Sequence, residues 1–388
     1  MIKTFSNNTK FITGDRALEG LTFELQQNGV KKPLLICDDM SYRLGYLSEL
    51  LRSFDSSDIR FSVIYKKVYD IPTVEVCEHL LKIYRANDCD GIVALGRGPV
   101  IECAKCIKIM LKDGMSFLSS YDNGQLSQYS IMRVPLFVVP TNLASGLEGS
   151  NSLRIYDVNN NKIYTFDTSF ARSNIIVMDE RMTDTMPPKQ IVSYGCYALS
   201  MATMVFLEYP NEFVKPLATT ALDLIRQNLF PCLLHNAKKN FRLNIMNAVV
   251  YAGIASDYVQ NDIVRQLATY INDRYKCNFA NAYMVLFRNY FKMREWDREK
   301  IEQLLLYLEG EDNFAMCNPV ARYETALTSF EKVFDKIDDL VRFNSGLQTL
   351  GIEKSEFASI AEYVIQNTQN PNEESTYRFL VELLERSF

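Results

Sequence analysis

Histidine is scarce in this chain of 388 residues, which contains only two, His79 and His235. Imidazole is the commonest transition-metal ligand and the usual general base near neutral pH. A chain with two histidines cannot supply a site that needs more imidazoles than that. Their scarcity therefore restricts both the metal centres and the acid–base chemistry that this sequence can support.

Dense runs of lysine and arginine are also missing, and the net charge is −5. The chain thus has no basic footprint for nucleic acid. The uncharged segment 191–207 falls short of a bilayer's thickness and contains serine, threonine and glycine, so we predict a buried helix and no membrane span. The first residues lack the apolar core of a signal peptide, and the nine cysteines are odd in number and scattered. These features predict reduced thiols and a cytoplasmic protein.

The first half of the chain alternates short apolar runs rich in β-branched residues with amphipathic helical patterns, which predict helices over 40–54, 73–88 and 100–112. Such β-α-β-α order predicts a parallel sheet covered by helices. The runs are apolar throughout, as expected for strands that are buried on both faces. The segment 152–167 alternates around an Asn-rich turn and predicts an antiparallel hairpin. The predicted parallel strands are 33–37, 60–65, 91–95, 134–140 and 174–179.

Helical periodicity dominates after residue 180. The sequence therefore predicts an α/β lobe with a Rossmann-like parallel sheet over residues 1–180, which would bind a nucleotide, and an all-helical lobe over residues 181–388. The predicted helices of the second lobe are 188–208, 215–234, 241–258, 261–275, 279–293, 297–309, 320–343, 354–367 and 373–387.

A short glycine-containing segment joins the third predicted strand to the helix after it. The strand ends at Leu95, Gly96 and Gly98 bracket Arg97, and the helix starts at about Pro99. Glycines before a helix start let the backbone approach a pyrophosphate, and a guanidinium beside that helix start suits an anion. A plain tight turn would need the same glycines, so the spacing leaves both interpretations open.

Two further segments are candidates for nucleotide binding. Asp38 ends the first predicted strand, where an acidic side chain can accept hydrogen bonds from a ribose hydroxyl and disfavour a 2′-phosphate; a simple helix cap is the alternative. The loop 140–150 follows another strand and contains Thr141, Asn142 and Ser145. This loop is either a binding loop or a connection.

Taken in order, these segments resemble the iron-activated alcohol dehydrogenase family, whose superfamily includes glycerol dehydrogenase and dehydroquinate synthase. Residues 96–105 match the family's GGGSxxDxAK loop, which holds the pyrophosphate of NAD(P), and 140–148 match its PTTxGTGSE motif. The segments 179–201 and 252–255 match its DPxLTxxLPP–GMDAL and AGxA motifs. The resemblance implies a dehydroquinate synthase-like fold, NAD(H) as the cofactor to expect, and a dimer formed through the N-terminal lobe.

The departures from the family pattern concern its metal site. The family holds its metal with an Asp and a His four residues apart and two further His fourteen apart. The corresponding positions here are Tyr197, Met201, Arg265 and Phe279, and another family His corresponds to Thr269. The spacing is kept while the ligands are replaced. Because such a metal acts as a Lewis acid, the resemblance implies no iron or zinc and loss of metal-dependent dehydrogenase activity.

Substitute metal ligands are conceivable near these positions, but cysteines are more often core residues than ligands. The candidates would be Cys196, Cys277, Asp257 and Asp262. The "CAKC" segment at 103–106 lies inside the predicted phosphate-binding helix, where packing explains both sulfurs. We therefore predict no metal site.

Three functions remain open. The first is a non-catalytic binding, regulatory or structural subunit, as a homodimer or beside an active relative. The second is a metal-independent NAD(P)-dependent oxidoreductase of a small alcohol, aldehyde or sugar-derived carbonyl, in which Arg265 neutralises an oxyanion and Tyr197 exchanges a proton. The third is a nucleotide sensor that uses the loop around Arg97, although Pro99 removes one N–H from it. Fold alone does not separate them.

Overall fold

A parallel sheet of six strands organises the first of two units in the computed structural model of this chain. The first unit comprises Met1–Met186 with Ala237–Asp257, and the second Pro187–Asn236 with Tyr258–Phe388. The structure describes residues 4–55, 57–69, 71–113, 134–160, 162–209, 211–234, 239–259, 262–342, 346–366 and 373–388.

The strands of the sheet are β1 (Lys10–Gly14), β2 (Pro33–Asp38), β3 (Val63–Val68), β4 (Gly91–Gly96), β5 (Leu136–Pro140) and β8 (Ile175–Asp179). Their order in the sheet is β1-β8-β5-β4-β2-β3, and every pairing is parallel. Strands β2, β4, β5 and β8 are buried over their whole length, which explains why they are apolar up to the aspartates that end β2 and β8. Strands β6 (Ser152–Asp157) and β7 (Lys162–Asp167) form the predicted antiparallel hairpin.

Helices cover this sheet and bury its apolar side chains. One core cluster joins Leu21 and Leu25 to Val93 and Val139 on the strands. The helices of the first unit are α1 (Glu19–Gln27), α2 (Asp39–Arg43), α3 (Tyr46–Arg52), α4 (Val74–Ala86), α5 (Gly98–Asp113) and α8 (Lys239–Ser256).

The second unit is helical throughout its described residues. Its most buried helix is α6, whose residues from Ile191 to Leu207 are nearly all inaccessible and pack against α7 and α10. The helices are α6 (Pro188–Glu208), α7 (Lys215–Leu234), α9 (Ile263–Tyr275), α10 (Phe279–Met293), α11 (Arg298–Glu309), α12 (Glu311–Met316), α13 (Arg322–Val341), α14 (Phe357–Gln366) and α15 (Glu373–Arg386). By length and composition α6 could cross a membrane, but 89% of its apolar window is buried against the protein.

The predicted fold class, a parallel α/β region followed by a helical region, is confirmed. Some elements differ from the sequence prediction. Strand β1 and helices α1 and α12 were not predicted, and the helix expected over 40–54 is divided between α2 and α3. Gly45 causes that division because its φ of 83° lies in the left-handed region.

The boundary of the two lobes near residue 180 remains a prediction. In the structure the first unit continues to Met186 and also takes in Ala237–Asp257. Helix α8 thus belongs with the sheet: Asn247 accepts a hydrogen bond from Thr13, and Arg242 binds Thr183 and Asp184.

Candidate functional site

The candidate nucleotide site of the first unit lies where three parallel strands end side by side. Cys37 of β2 is paired with Leu95 of β4, and Gly96 of β4 with Pro140 of β5. The chain leaves β2 for β3 on one side, whereas from β4 it continues to β5 on the other. Ligands of open α/β sheets bind at such a switch point, outside the carboxyl ends of the strands.

Asp38, at the end of β2, is buried and has partners for both carboxylate oxygens. Its Oδ1 accepts a hydrogen bond of 2.6 Å from the backbone N–H of Ser41 and so caps α2. Its Oδ2 accepts one of 3.3 Å from Nε of Arg97. Asp38 therefore caps α2, as one of the two interpretations of the sequence predicted. It also forms an ion pair with Arg97, which belongs to the segment 96–98, called here the glycine loop.

The glycine loop itself is tightly packed. A Cβ on Gly96 would lie 2.6 Å from Cγ2 of Val100 and 3.3 Å from Oδ2 of Asp38, so this position accepts only glycine without rearrangement. The carbonyl of Arg97 accepts the first backbone bonds of α5, from Val100 and Ile101. Gly98 and Pro99 begin the helix. This arrangement is a strand–glycine–helix connection with a guanidinium beside the helix start.

The loop after β5 lies beside these residues. The Thr141 hydroxyl is 3.0 Å from the hydroxyl of Ser41, and its backbone N–H donates to the carbonyl of Gly96. Asn142 is also buried. Thr141 thus contacts the glycine loop and also Ser41, whose backbone N–H donates to Asp38. All of these residues belong to the first unit.

Farther along, the same loop turns sharply around a buried carboxylate. The Glu148 Oε1 accepts hydrogen bonds from both the backbone N–H and the hydroxyl of Ser145, at 2.8 and 2.9 Å. Burial raises the pKa of Glu148, although these hydrogen bonds oppose the change. Ala144 and Gly146 both have left-handed backbones, with φ of 66° and 79°. Ser145 consequently shapes the loop, and its hydroxyl is engaged by Glu148.

Lys105 of α5 fixes the end of this loop. Its fully buried ammonium group donates hydrogen bonds to the carbonyls of Leu147, Ser150 and Ser152. Burial lowers the pKa of Lys105 to about 8. The lysine of the matched loop motif is therefore a structural tether in this chain, and sequence reasoning had assigned it no part.

The positions that match the family's metal ligands lie in the second unit. The Tyr197 ring of α6 is in edge contact with the Phe279 ring at the start of α10, with centroids 5.6 Å apart and planes at 86°. It makes a second edge contact with Tyr283, with centroids 5.3 Å apart. Met201, one turn along α6, is buried. We call Tyr197, Phe279 and Tyr283 the aromatic cluster.

A charged pair adjoins the aromatic cluster. The Asp262 carboxylate caps α9 by accepting the backbone N–H of Arg265, and its Oδ2 lies 3.7 Å from Nε of the same arginine. The same Oδ2 accepts a hydrogen bond of 3.0 Å from the hydroxyl of Tyr283. Burial raises the pKa of Tyr283 well above its ordinary value, so this phenol stays neutral and acts as a donor. Tyr197 therefore contacts Tyr283 directly, and Arg265 lies beside the carboxylate that accepts the hydrogen bond of Tyr283.

These side chains do not fit a catalytic divalent cation. Phenylalanine offers no donor, a thioether is a poor ligand for a hard or borderline ion, and a guanidinium repels one. Among the described residues, no three His, Cys, Asp or Glu side chains are grouped so that they could hold a metal ion. Of the suggested substitutes, Asp257 accepts the backbone N–H of Asn151, and Asp262 is committed to Tyr283 and Arg265.

The remaining candidates from the sequence are packing residues or lie outside the described part. Cys103 and Cys106 of the "CAKC" segment are fully buried, and Cys106 donates to the sulfur of Met110. His79 packs edge-on against Tyr65. His235 lies outside the described residues.

Sequence reasoning had not identified Ser41 and Tyr283 as neighbours of the candidate sites. Ser41 contacts Asp38 and Thr141, and Tyr283 contacts Tyr197 and Asp262. A signal for Tyr283 existed: it stands four residues after Phe279, on the same face of α10. Ser41 could have been found as the donor three residues after a capping aspartate.

Comparison with models of known protein families identifies the family to which this chain belongs. The model of iron-containing alcohol dehydrogenase matches residues 8–180, and the model of the family's C-terminal domain matches 198–388. The chain belongs to the iron-containing alcohol dehydrogenase family. The resemblance inferred from the motifs is thereby confirmed.

Individual relatives are distant. Probable alcohol dehydrogenase EutG of Salmonella typhimurium is 25% identical over 257 residues, which are 66% of this chain and 64% of that protein. The match thus spans less than two thirds of that relative. Sulfoacetaldehyde reductase from Bifidobacterium kashiwanohense, solved in complex with NAD+, superposes with a TM-score of 0.81 at 15% identity, over 100% of this chain and 99% of that one. The iron-containing alcohol dehydrogenase from Thermococcus thioreducens gives 0.77 at 18% identity, over 98% and 100%. Such structural likeness at low identity establishes the fold.

Proposed function

We propose that this member of the iron-containing alcohol dehydrogenase family has lost the family's metal site and is non-catalytic, with a binding or regulatory role and a retained nucleotide site. The observation that carries this proposal is the aromatic cluster. Two of the four ligand-equivalent residues, Tyr197 and Phe279, pack edge to face on each other, and a third, Arg265, brings a positive charge. Aromatic packing of this kind stabilises a folded core and provides no Lewis acid.

Nucleotide binding is supported by the first unit. The connection from β4 to α5 places Gly96, Arg97 and the helix start together at the switch point of the sheet. Asp38 and Thr141 lie beside them. A relative of the same fold was solved with NAD+, which makes NAD(H) the first ligand to test. If it binds, these residues would hold its adenosine and pyrophosphate portions, and the nicotinamide would supply hydride chemistry.

A metal-independent oxidoreductase is the second candidate, and the contacts of Arg265, Asp262 and Tyr283 favour considering it. Tyr283 is hydrogen-bonded to a carboxylate next to an arginine, and its ring touches Tyr197. Two observations rank it second. Asp262 offsets the charge of Arg265, and the raised pKa of Tyr283 makes that phenol a poor proton donor near neutral pH.

Metal content and turnover test the proposal. We expect purified protein to contain far less than one iron or zinc per chain, before and after anaerobic incubation with Fe²⁺ or Zn²⁺. We also expect no oxidation of small alcohols and no reduction of small aldehydes with NAD(H) or NADP(H). The Thermococcus thioreducens relative provides the parallel control. Stoichiometric metal or turnover with metal bound would overturn the proposal.

Turnover without metal would instead support the second candidate. In that case Tyr197→Phe should reduce the turnover rate with little change in melting temperature. Arg265→Gln alone should reduce the turnover rate more than Tyr197→Phe does. An unchanged rate in both variants would remove these residues from the mechanism. Calorimetric titration with NAD+, NADH and ADP-ribose tests the binding role, and light scattering after gel filtration tests the predicted dimer.

A further inference from the structure

Phe213 projects from the turn that joins α6 to α7 in the second unit. It is 67% exposed, whereas the next residue, Val214, is fully buried. Asn211 holds this turn in place, because its Oδ1 accepts the backbone N–H of Phe213 and its carbonyl accepts those of Val214 and Lys215. A well-defined backbone thus presents an apolar ring to solvent.

A cavity lies beside this turn and distinguishes Phe213 from the single apolar residues that are common on protein surfaces. Its volume is about 200 Å³, and it is open to solvent where the start of α7 faces α11. A cavity of about 150 Å³ takes up a benzene ring, so this one has room for the ring of a phenylalanine. Its lining residues are Glu212, Lys215, Pro216, Thr219 and Tyr307.

The side chains that line the cavity suit an aromatic guest. The Tyr307 ring already packs edge-on against the Phe206 ring, with centroids 5.5 Å apart and planes at 65°. The Lys215 ammonium lies 5.0 Å from the centroid of the same Phe206 ring. The Thr219 hydroxyl donates to the carbonyl of Pro216 at 3.2 Å, so it needs no hydrogen bond from a guest. A further ring in the cavity would add edge contacts with Tyr307 and a cation–π contact with Lys215.

Two opposite charges stand on either side of Phe213 in the chain. Glu212 is exposed and negative, Lys215 is half-buried and positive, and both line the cavity. In an isologous two-fold interface, residue i of one copy contacts residue j of the other, and j contacts i. A two-fold axis beside Phe213 would set Glu212 of each copy opposite Lys215 of the other, while each ring enters the other cavity. The surface is thus complementary to itself in both charge and shape.

We propose that Phe213 and the cavity beside it, called here the Phe213 surface, bind the same surface of a second copy of this chain. The ring of each Phe213 occupies the cavity of the other copy. The Phe213 surface belongs to the helical unit, so this contact is separate from the nucleotide site and from the dimer expected through the N-terminal lobe. Where both contacts form, the chain assembles beyond a dimer. One aromatic anchor per copy makes a small interface, and the association is accordingly weak and concentration-dependent.

Sedimentation of the full chain at increasing concentration tests this contact. We expect the average mass to rise towards twice its starting value or more between micromolar and near-millimolar protein, whether the starting species is a monomer or the N-terminal dimer. Phe213→Ala should raise the dissociation constant of this step at least about thirtyfold, because a buried aromatic anchor contributes on that scale. Leu234→Ala should leave it unchanged, since Leu234 is also exposed but stands at the far end of α7, about 28 Å from Lys215.

Two variants that fail in different ways assign the contact to a pair of copies. Thr219→Trp places an indole ring in the cavity and should weaken the association as Phe213→Ala does. A mixture of the two variants should associate more tightly than either variant alone. The reason is that Phe213 of the Thr219→Trp chain still enters the intact cavity of the Phe213→Ala chain.

Exchanging the two charges gives a second, independent test. Glu212→Lys and Lys215→Glu should each weaken the association several-fold, because each variant sets like charges opposite one another. The chain that carries both substitutions restores opposite charges across the two-fold axis and should regain most of the affinity. Melting temperatures verify that all variants fold.

An average mass that Phe213→Ala leaves unchanged at every concentration would contradict the inference, and so would a mixture of variants that restores nothing. Calorimetric binding of N-acetyl-phenylalanine amide without a change in mass would show that the cavity takes an aromatic ring from another kind of molecule. That result would equally refute the pairing of copies. None of these results bears on the nucleotide-binding role, which the titration with NAD+ tests separately.

Discussion

Ala144 occupies a backbone conformation that favours glycine, with φ of 66° in the loop after β5. The family motif that this loop matches has glycine at the same position. Left-handed geometry costs an L-residue about 1 kcal/mol relative to glycine. We therefore expect Ala144→Gly to raise the free energy of unfolding by up to about 1 kcal/mol, measured by urea denaturation.

The control for that prediction is Ala104→Gly in the interior of α5, where the backbone is helical and the alanine is buried. There we expect a loss of about 1 kcal/mol, because glycine has more freedom to lose on folding. Equal effects of the two substitutions would show that the strain at Ala144 contributes nothing.

Lys105 should make stability depend on pH in a defined window. Burial lowers its pKa to about 8 in the folded state, from an ordinary value of 10.5. Below pH 8 the lysine is protonated in both states, so the full cost of burying its charge is present. Between pH 8 and 10.5 the unfolded state binds more protons, and stability therefore rises with pH.

We expect the free energy of unfolding of the natural protein, minus that of Lys105→Met, to increase by up to about 3 kcal/mol from pH 8 to 10.5. Taking the difference cancels the titrating groups that Lys105 does not influence. A second comparison in a Lys108→Met background removes Lys108, whose pKa burial and the charge of Lys105 lower to about 8. A difference that stayed flat or fell across this range would contradict the proposed burial of charge.

Individual residues show where the sequence was informative and where it was not. The motif positions Gly96 and Asp38 could be located from the sequence because the strands before them are apolar and short. The ion pair of Asp38 with Arg97 could not, since 59 residues separate its partners and the sheet order brings them together. Likewise, Tyr197 was identified as a site residue, but its contact with Tyr283 depends on how α6 packs on α10.

Helix α8 packs closely against the loop after β5, and Gly253 permits that approach. A Cβ at this position would lie 2.3 Å from the carbonyl oxygen and 2.4 Å from the Cα of Gly146. The atoms it would meet belong to the backbone of Gly146, which cannot move aside as a flexible side chain can. Gly253→Ala should therefore destabilise the protein by several kcal/mol despite the better helix propensity of alanine, at about the scale of overpacked cores.

Gly20 in α1 is the matched control, because a Cβ there would meet Ile12 at an ordinary 3.7 Å. We expect Gly20→Ala to be neutral or slightly stabilising. Melting temperature and soluble yield distinguish the two variants. A Gly253→Ala protein as stable as Gly20→Ala would mean that the helix and loop are not in close contact.

Helix α6 contains two buried hydroxyls, those of Ser200 and Thr203, that have no hydrogen-bond partner among the described residues. An unpaired buried polar group costs free energy, whereas an isosteric apolar group does not. Thr203→Val should therefore raise the free energy of unfolding by about 1 kcal/mol.

Thr183→Val provides the comparison. Thr183 is equally buried, but its hydroxyl donates to the carbonyl of Glu180 and accepts from Arg242. We expect this variant to lose about 1–3 kcal/mol because Arg242 loses a partner. Chemical denaturation of both proteins gives the comparison, and a destabilised Thr203→Val would reveal a hidden hydrogen bond.

The helices of the second unit show which helix limits can be predicted from the sequence. The predicted limits of α6, α7 and α10 agree with the structure because caps and prolines mark them; Pro188 starts α6, and Asn278 caps α10. The break between α2 and α3 went unpredicted because apolar spacing continues across Gly45. Short α12 offered too few residues for a periodic signal.

At the scale of the whole molecule, sequence order and spatial grouping differ. A division near residue 180 follows the change from mixed to helical patterning, yet α8 belongs to the unit of the sheet. Nothing in a helical period indicates which neighbour the helix packs against. The family's first model ends at residue 180 and the model of its C-terminal domain begins at residue 198.

Removing or adding metal ions tests the proposed loss of the metal site in the whole protein. A ligand that binds only the folded state stabilises it by about 2.7 kcal/mol at one hundred times its dissociation constant. Because Tyr197, Met201, Arg265 and Phe279 provide no set of metal ligands, we expect dialysis against EDTA to leave the melting temperature unchanged. Millimolar Zn²⁺ or anaerobic Fe²⁺ should likewise leave it within about one degree, a shift far below that of saturating binding. A rise of several degrees that Arg265→Gln enhances would show that the cation enters beside the aromatic cluster, and would refute the loss of the metal site.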